Sequence, residues 1–317
     1  MKIVFFGTPA FPAAFLRALA EDPFFEVVGV VCQPDAPMGR KKILTAPPVK
    51  LTAIEKHLPI FQPEKLKDFT PPKADAYVVV AYGRILPQRI LDLPRLGTIN
   101  VHPSLLPKFR GPSPMVAAIL AREKETGVSI MKLDAEMDHG PILAQVRISL
   151  EPLPTLSVGT PTPAGVGAAT LETKIVTAGV PLLLQTLKDL VAGTAQETEQ
   201  HHAQATFCHL LDRKDGIIDW TRSAEDIEAQ VRGLNPWPGT TTAWERDGKP
   251  LTLKILTAQI SDRTLSPGLV MVDAKHLFVG TGTAAIQITS LQPEGGKPMD
   301  AAAFINGYPD VHNAVLK

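Results

Sequence analysis

Residues 2–6 (KIVFF) form an unbroken apolar run that stops at Gly7-Thr8-Pro9. Unbroken rather than alternating apolar character suits a strand buried on both faces, as in a parallel sheet. Phe11, Phe15, Leu16 and Leu19 then recur at helical spacing, with Pro9 near the helix start. A second buried-type run follows at 27–32 (VVGVVC). This strand–helix–strand opening predicts an α/β domain with a doubly wound sheet. Further strands are predicted at 76–81, 98–102, 127–133 and 142–149, and helices at 47–56, 113–123 and about 170–191. Residues 153–168 are a loop rich in Pro, Gly and Thr.

The stretch from Gly193 to Thr206 (GTAQETEQHHAQAT) is polar and has no apolar period, so it reads as an interdomain linker. Its paired His201 and His202 have no Cys or carboxylate at finger-like spacing and read as part of a solvated tether. After one helix at about 223–233, short β-like runs separated by turns predict a small antiparallel barrel or sandwich. The expected organisation is a first domain over 1–192, a linker over 193–207 and a second domain over 208–317.

Composition agrees with two domains, since the chain has 317 residues and domains run to ~150. A hydrophobic fraction of 44% and a charged fraction of 20% exclude a mainly disordered chain. Proline, at 30 residues, stands at roughly twice the ~5% norm and predicts many fixed turns. Lys+Arg 32 balance Asp+Glu 32, so bulk charge does not advertise a nucleic-acid binder. Over 208–317, 11 basic residues face 13 acidic ones, so the second domain is not basic either. Cys32 and Cys208 cannot build a disulfide framework and suit a reducing compartment. The opening MKIVFFGTPAF is too short for a signal h-region, and no apolar stretch approaches the ~20 residues that span a bilayer. The expectation is a cytoplasmic monomer without a membrane anchor.

Ligands of open α/β sheets bind at the carboxyl ends of the strands. The first such turn is Gly7-Thr8-Pro9, where Pro9 removes an N–H that a pyrophosphate would use, and no Walker-type phosphate cradle occurs. The segment TINVHPSLLPKFRG (98–111) is more informative. Asn100 and His102 lie two apart on one strand and project from the same face at its C-terminal end. An amide and an imidazole so placed can polarise a carbonyl oxygen and take a proton from an attacking amine or hydroxyl. An acid could orient the imidazole, and Asp134, Glu136 and Asp138 all follow the 127–133 strand, with spacing unable to choose among them. No nucleophile elbow and no metal-ligand cluster competes, so direct acyl transfer without a covalent enzyme intermediate is the economical chemistry. The loop 33–50 carries Arg40, Lys41 and Lys42 at its tip, the makings of a finger that contacts a phosphate backbone.

Several of these segments together resemble the methionyl-tRNA formyltransferase family: FFGTPAF (5–11), QPDAPMGRKK (33–42), PPVK (47–50), VVVAYGRILP (78–87), INVHPSLLPKFRG (99–111) and ETGVSIMKLDAEMDHGPIL (125–143). IDW (218–220), GLNPWPGT (233–240) and LQP (291–293) extend the resemblance nearly to the C-terminus. The Asn-x-His-x-Ser-Leu-Leu-Pro element is common to formyltetrahydrofolate-using enzymes. The basic loop with Asn235-Pro236-Trp237-Pro238 narrows the likeness to the tRNA enzymes. The resemblance implies a Rossmann-like, mostly parallel catalytic domain, a linker and a small OB-like β-barrel. It implies transfer of the formyl group of 10-formyltetrahydrofolate to the α-amine of methionine on initiator tRNA, with no metal. Asn100, His102 and Asp138 would be the catalytic trio. Ser104, Leu105, Leu106 and Pro107 would line the folate site with the Ala81-Tyr82-Gly83 turn. Arg40, Lys41 and Lys42 would contact the acceptor stem, and the barrel would hold the tRNA body. The chain departs from the family at His139, where a small residue or Thr is common, and at the atypical 153–168 stretch.

Overall fold

The computed structural model describes residues 1–39, 42–151 and 165–317, and these fall into two units. Unit 1 comprises Met1–Pro114, Thr126–Ser149 and Glu172–His209; unit 2 comprises Met115–Glu125, Leu150–Leu171 and Leu210–Lys317. The polar stretch expected as a linker is thus counted with unit 1.

The chain opens with β1 (Lys2–Gly7), α1 (Ala10–Glu21) and β2 (Glu26–Val31). A hairpin of β3 (Ala36–Met38) and β4 (Ile43–Thr45) follows, then α2 (Pro48–Glu55), β5 (Ile60–Phe61), β6 (Ala76–Val80), α3 (Gln88–Leu91) and β7 (Thr98–His102). After α4 (Pro114–Leu120) come β8 (Glu125–Lys132), β9 (Ile142–Ser149) and α5 (Ala168–Ala192). The main sheet has the order β5-β2-β1-β6-β7-β8-β9. The pairings from β5 through β7 are parallel and β8 runs antiparallel to β7, so the sheet is mixed and Rossmann-like. The unbroken apolar runs behave as the pattern requires: every residue of β6 and β7, and all but the first of β1, is buried. The chain winds outward from β1 through β2 to β5, then returns to place β6 on β1's other side. That reversal opens a crevice at the carboxyl ends of β1 and β6, where open α/β sheets bind ligands.

The 25-residue α5 is long and apolar enough to cross a bilayer by composition, which corrects the expectation that no stretch approaches that length. In unit 1 it serves as a packing helix. Ile175, Leu183 and Leu187 are buried, Gly179 lies against Phe15 and Val128, and Lys188 pairs with Asp22 at 2.8 Å.

Unit 2 contains α6 (Ala224–Leu234), β10 (Thr240–Arg246), β11 (Lys249–Ile260), β12 (Val270–Asp273), β13 (His276–Gly280), β14 (Ala285–Pro293), β15 (Met299–Asp300) and α7 (Ala301–Gly307). Ser223 caps α6 by accepting from the Asp226 N–H, and Ile227, Val231 and Leu234 of that helix are buried. The sheet is antiparallel in the order β10-β11-β14-β13-β12, with β15 on β14. Register shifts at Ile255/Thr257 and Thr257/Ala258 mark a bulge in the long β11, the device that lets a sheet curl. The last residues bond to both edges of the curl: Lys317 exchanges backbone bonds with Ala243 in β10, and Leu316 donates to Gly268 beside β12. Inside, Trp220 donates its indole N–H to the Thr242 hydroxyl at 2.9 Å among Ile227, Leu253 and Phe304.

Candidate active site

The crevice is stitched at its floor by short polar contacts. The Thr8 hydroxyl, one residue beyond β1, donates to the Tyr82 carbonyl beyond β6 (2.9 Å), and the Gln33 amide donates to the same carbonyl (3.0 Å). The turn between β6 and α3 needs unusual backbone, with Ala81 at φ 43 and Gly83 at φ 80. A side chain at Gly83 would run into the Gln33 amide. Tyr82 is buried against Phe6, and burial raises its phenol above the ordinary value. Ala81 and Gly83 are exposed at the crevice.

β7 carries Asn100 and His102 on one face, as the period of two requires, both largely buried. Asp138 arrives from the loop after β8 and stands at φ 49. Its Oδ1 accepts from the Asn100 amide at 3.4 Å and lies 3.6 Å from His102 Nδ1, while its Oδ2 accepts from the Gly111 N–H at 2.8 Å. His102 Nε2 lies 2.9 Å from the Phe109 carbonyl, which can only accept, so that nitrogen carries a proton. Both ring nitrogens therefore face acceptors, an arrangement that accommodates a doubly protonated imidazole. The choice among three acids that spacing leaves open is made by geometry. Asp134 instead accepts from the Glu136 N–H and meets His139 Nδ1 at 2.7 Å.

Of the residues expected around a folate, Leu106 is buried and Leu105 half-buried, and Leu105 packs where a side chain at Gly127 would otherwise lie. Ser104 is fully buried and donates to the Lys108 carbonyl at 2.6 Å, so it shapes the Ser104–Pro107 loop from within. Ser129 binds the same loop, donating to the Ser104 carbonyl (2.7 Å) and accepting from the Leu106 N–H (3.1 Å). Gln145 closes the set with a bond to the Leu106 carbonyl at 3.0 Å. Arg40 and Lys41 lie outside the described residues, as does most of 153–168. Lys42 is exposed at φ 48 at the tip of the β3–β4 hairpin. Lys50 at the loop's base is engaged at home: its ammonium sits 2.8 Å from both Asp35 oxygens and, with Gln62, holds that carboxyl below the ordinary range.

Sequence reasoning missed what the polar stretch 193–207 contributes. Thr206 accepts from the Phe109 N–H through its hydroxyl (2.9 Å) and from the Arg110 N–H through its carbonyl (2.8 Å). Cys208 donates its N–H to the Arg110 carbonyl (2.8 Å), and burial raises its thiol above the ordinary value. His202 is exposed, as expected, and its ring also stacks on His139 with centroids 4.0 Å apart. These bonds lie along the loop that follows His102. Backbone pairing of this kind leaves no hydrophobic period to read.

The formyl transferase family matches residues 1–160, and the formyl transferase C-terminal domain matches residues 210–309. A methionyl-tRNA formyltransferase of Roseiflexus sp. (strain RS-1) is 43% identical over 316 residues, covering 97% of this chain and 92% of that protein. Among solved structures, the N-formyltransferase from Helicobacter canadensis, in complex with folinic acid and dTDP-3-aminofucose, superposes with a TM-score of 0.64 at 14% identity, over 91% of this chain and 98% of its own. HypX from Aquifex aeolicus in complex with tetrahydrofolic acid gives 0.59 at 16% identity, over 97% of this chain and 47% of its own. These two structures speak for the fold.

Proposed function

The chain belongs to the methionyl-tRNA formyltransferase family, and we propose that it moves the formyl group of 10-formyltetrahydrofolate to the α-amine of methionine on initiator tRNA in the cytoplasm. The observation that carries this reading is the convergence of Asn100, His102 and Asp138 within 3.4–3.6 Å at the carboxyl end of β7. In the reaction, the lone pair of the neutral amine forms a bond to the formyl carbon, and the C=O π pair moves onto oxygen. The Asn100 amide and the His102 imidazole are the donors that meet this oxyanion. Asp138 holds the imidazole and its positive charge. The proton lost by the amine passes through water, or to His102 once the imidazolium has given its own proton to the folate nitrogen, and the oxyanion collapses as the bond from carbon to that nitrogen breaks.

The pterin would lie in the crevice between the Ala81-Tyr82-Gly83 turn and Leu105, Leu106 and Pro107. Arg40, Lys41 and Lys42 would meet the acceptor stem. The curled sheet of unit 2 would act as the OB-like barrel that holds the tRNA body. The test is formylation of charged initiator tRNA from 10-formyltetrahydrofolate, with elongator methionyl-tRNA and an amino-sugar nucleotide as control acceptors. Removing an oxyanion donor costs ~10²–10³ in kcat, so Asn100→Ala should fold normally and lose that much; Asp138→Ala, which takes away the acid that holds the imidazole, should fold normally and lose at least as much. Near-wild-type turnover by either variant would remove its residue from the mechanism.

A further inference from the structure

Gln200 is only 5% exposed, in a stretch whose composition is that of a tether. Its amide is fully used. Nε2 donates to the carbonyl oxygens of Asp138 (2.9 Å) and Gly140 (2.8 Å), and Oε1 accepts from the Arg110 guanidinium (2.8 Å). Arg110 is itself 4% exposed and shares its guanidinium between Gln200 and His202 Nδ1, at 2.9 Å. A guanidinium can only donate, so Arg110 dictates which end of the Gln200 amide is oxygen and turns the NH₂ toward the two carbonyls. Those carbonyls bracket His139 in the turn that presents the Asp138 carboxyl. Asp138 sits at φ 49, where a non-glycine residue carries ~1–3 kcal/mol of strain and persists only if its surroundings over-determine it.

We propose that Gln200 is a positioning residue for the reaction, clamping the 138–140 turn so that the Asp138 carboxyl stands against Asn100 and His102. The inference rests on the catalytic reading above. Three separate stretches of chain meet in this clamp: the loop after β7 through Arg110, the loop after β8 through Asp138 and Gly140, and the polar stretch through Gln200. The clamp touches neither the formyl carbon nor the amine. Its influence therefore passes through Asp138, and the step it controls is turnover rather than substrate binding.

The experiment measures single-turnover and steady-state formylation for wild type, Gln200→Met, Asp138→Ala and the double variant. Met keeps the length of the side chain and removes all three hydrogen bonds. A catalytic group misplaced by ~1 Å can lose ~10²-fold, so kcat of Gln200→Met should fall roughly 10- to 100-fold. KM for both substrates should stay within about two-fold, because binding contacts are untouched. In the Asp138→Ala background the Met substitution should add no further loss, since the group it positions is gone. A merely structural role would lower both backgrounds alike, and that result, or wild-type kcat in Gln200→Met, overturns the inference. Should the Met variant not fold, Gln200→Glu asks the same question, as it keeps the volume and sets acceptor oxygens against the two carbonyls. If wild type does not formylate, or Asp138→Ala keeps full activity, the catalytic reading itself fails and takes the clamp with it.

Discussion

Gly111 is the residue at which the site's geometry and the fold's stability depend on the same missing atom. Its φ of 118 lies where side chains other than hydrogen are strained, and its N–H donates to Asp138 Oδ2 at 2.8 Å. A Cβ placed there would press on the Cys208 carbonyl oxygen, closer than the 3.0 Å that real Cβ atoms respect, and would lie 3.2 Å from the Cys208 sulfur. Neither neighbour can yield easily, because Cys208 is bonded through its N–H to the Arg110 carbonyl at 2.8 Å. Gly111→Ala therefore carries ~1–3 kcal/mol of backbone strain. If the shift breaks the bond to the carboxylate, a further ~1.5–3 kcal/mol is lost. The expected destabilisation is about 2.5–6 kcal/mol, read as a lower midpoint with unchanged slope in urea unfolding. Because the same shift withdraws the N–H that steadies Asp138, kcat should fall ~10²-fold under conditions where the variant is still folded. Gly295→Ala is the control: at φ 73 with open space around it, it bears only the left-handed term of ~1–2 kcal/mol and should leave formylation intact. A Gly111→Ala protein with wild-type stability and wild-type kcat would refute the geometry, and equal losses in both variants would refute the role given to Cys208.

Cys32 is fully buried, and its thiol is pushed up from 9.0 to about 11 by desolvation. The native thiol should therefore resist iodoacetamide at pH 8 until urea unfolds the chain. Because the folded value is the higher one, the unfolded chain releases this proton first. Its contribution to stability, on the order of 2–3 kcal/mol, is intact below pH 9 and lost between about pH 9 and 11. Cys32→Ala should lack that portion of the alkaline loss. Deleting residues 314–317 removes buried Leu316 and the backbone bonds to Ala243, Gly268 and Val270. With ~2 kcal/mol for the side chain and ~1 for each of several bonds, unit 2 should lose roughly 5 kcal/mol, seen as an early transition in thermal unfolding.

Much of unit 1 was legible because a parallel sheet buries both faces of its strands. KIVFF, AYVVVA and TINVH announce themselves as runs, and the period of two then puts Asn100 and His102 on one face without reference to any coordinate. The third member was not legible from spacing. Three acids lie in five residues of a loop, and only the left-handed turn at Asp138 decides which carboxyl faces the ring. α5 was legible over about 170–191, and only its apolar length was underestimated, because Glu172, Lys174, Lys188 and Asp189 break the run in sequence while the helix as a whole stays apolar enough to pass as a span. The polar stretch was misread for a different reason. Gln200, His202 and Thr206 have the composition of solvent-facing chain, and His202 and Thr206 are indeed exposed, but partners about 60 to 97 positions away tie all three down and bury Gln200.

Charge raises the last question, since a neutral chain must meet a polyanion on the proposed reading. Lys50 cannot help from where it stands, because detaching its ammonium would strip Asp35 of two bonds and loosen the base of the hairpin. Arg213 and Lys214 sit in a short turn flanked by Asp212 and Asp215, which bond its two ends, so their field is largely cancelled where it arises. At the hairpin tip Lys42 is exposed, and its sequence neighbours Arg40 and Lys41 complete a run of three. The hairpin follows β2 at the end of the sheet where β1, β6 and β7 also end. On the proposed reading, a local run of positive charge is what would steer a phosphate backbone, since the net charge supplies no overall attraction.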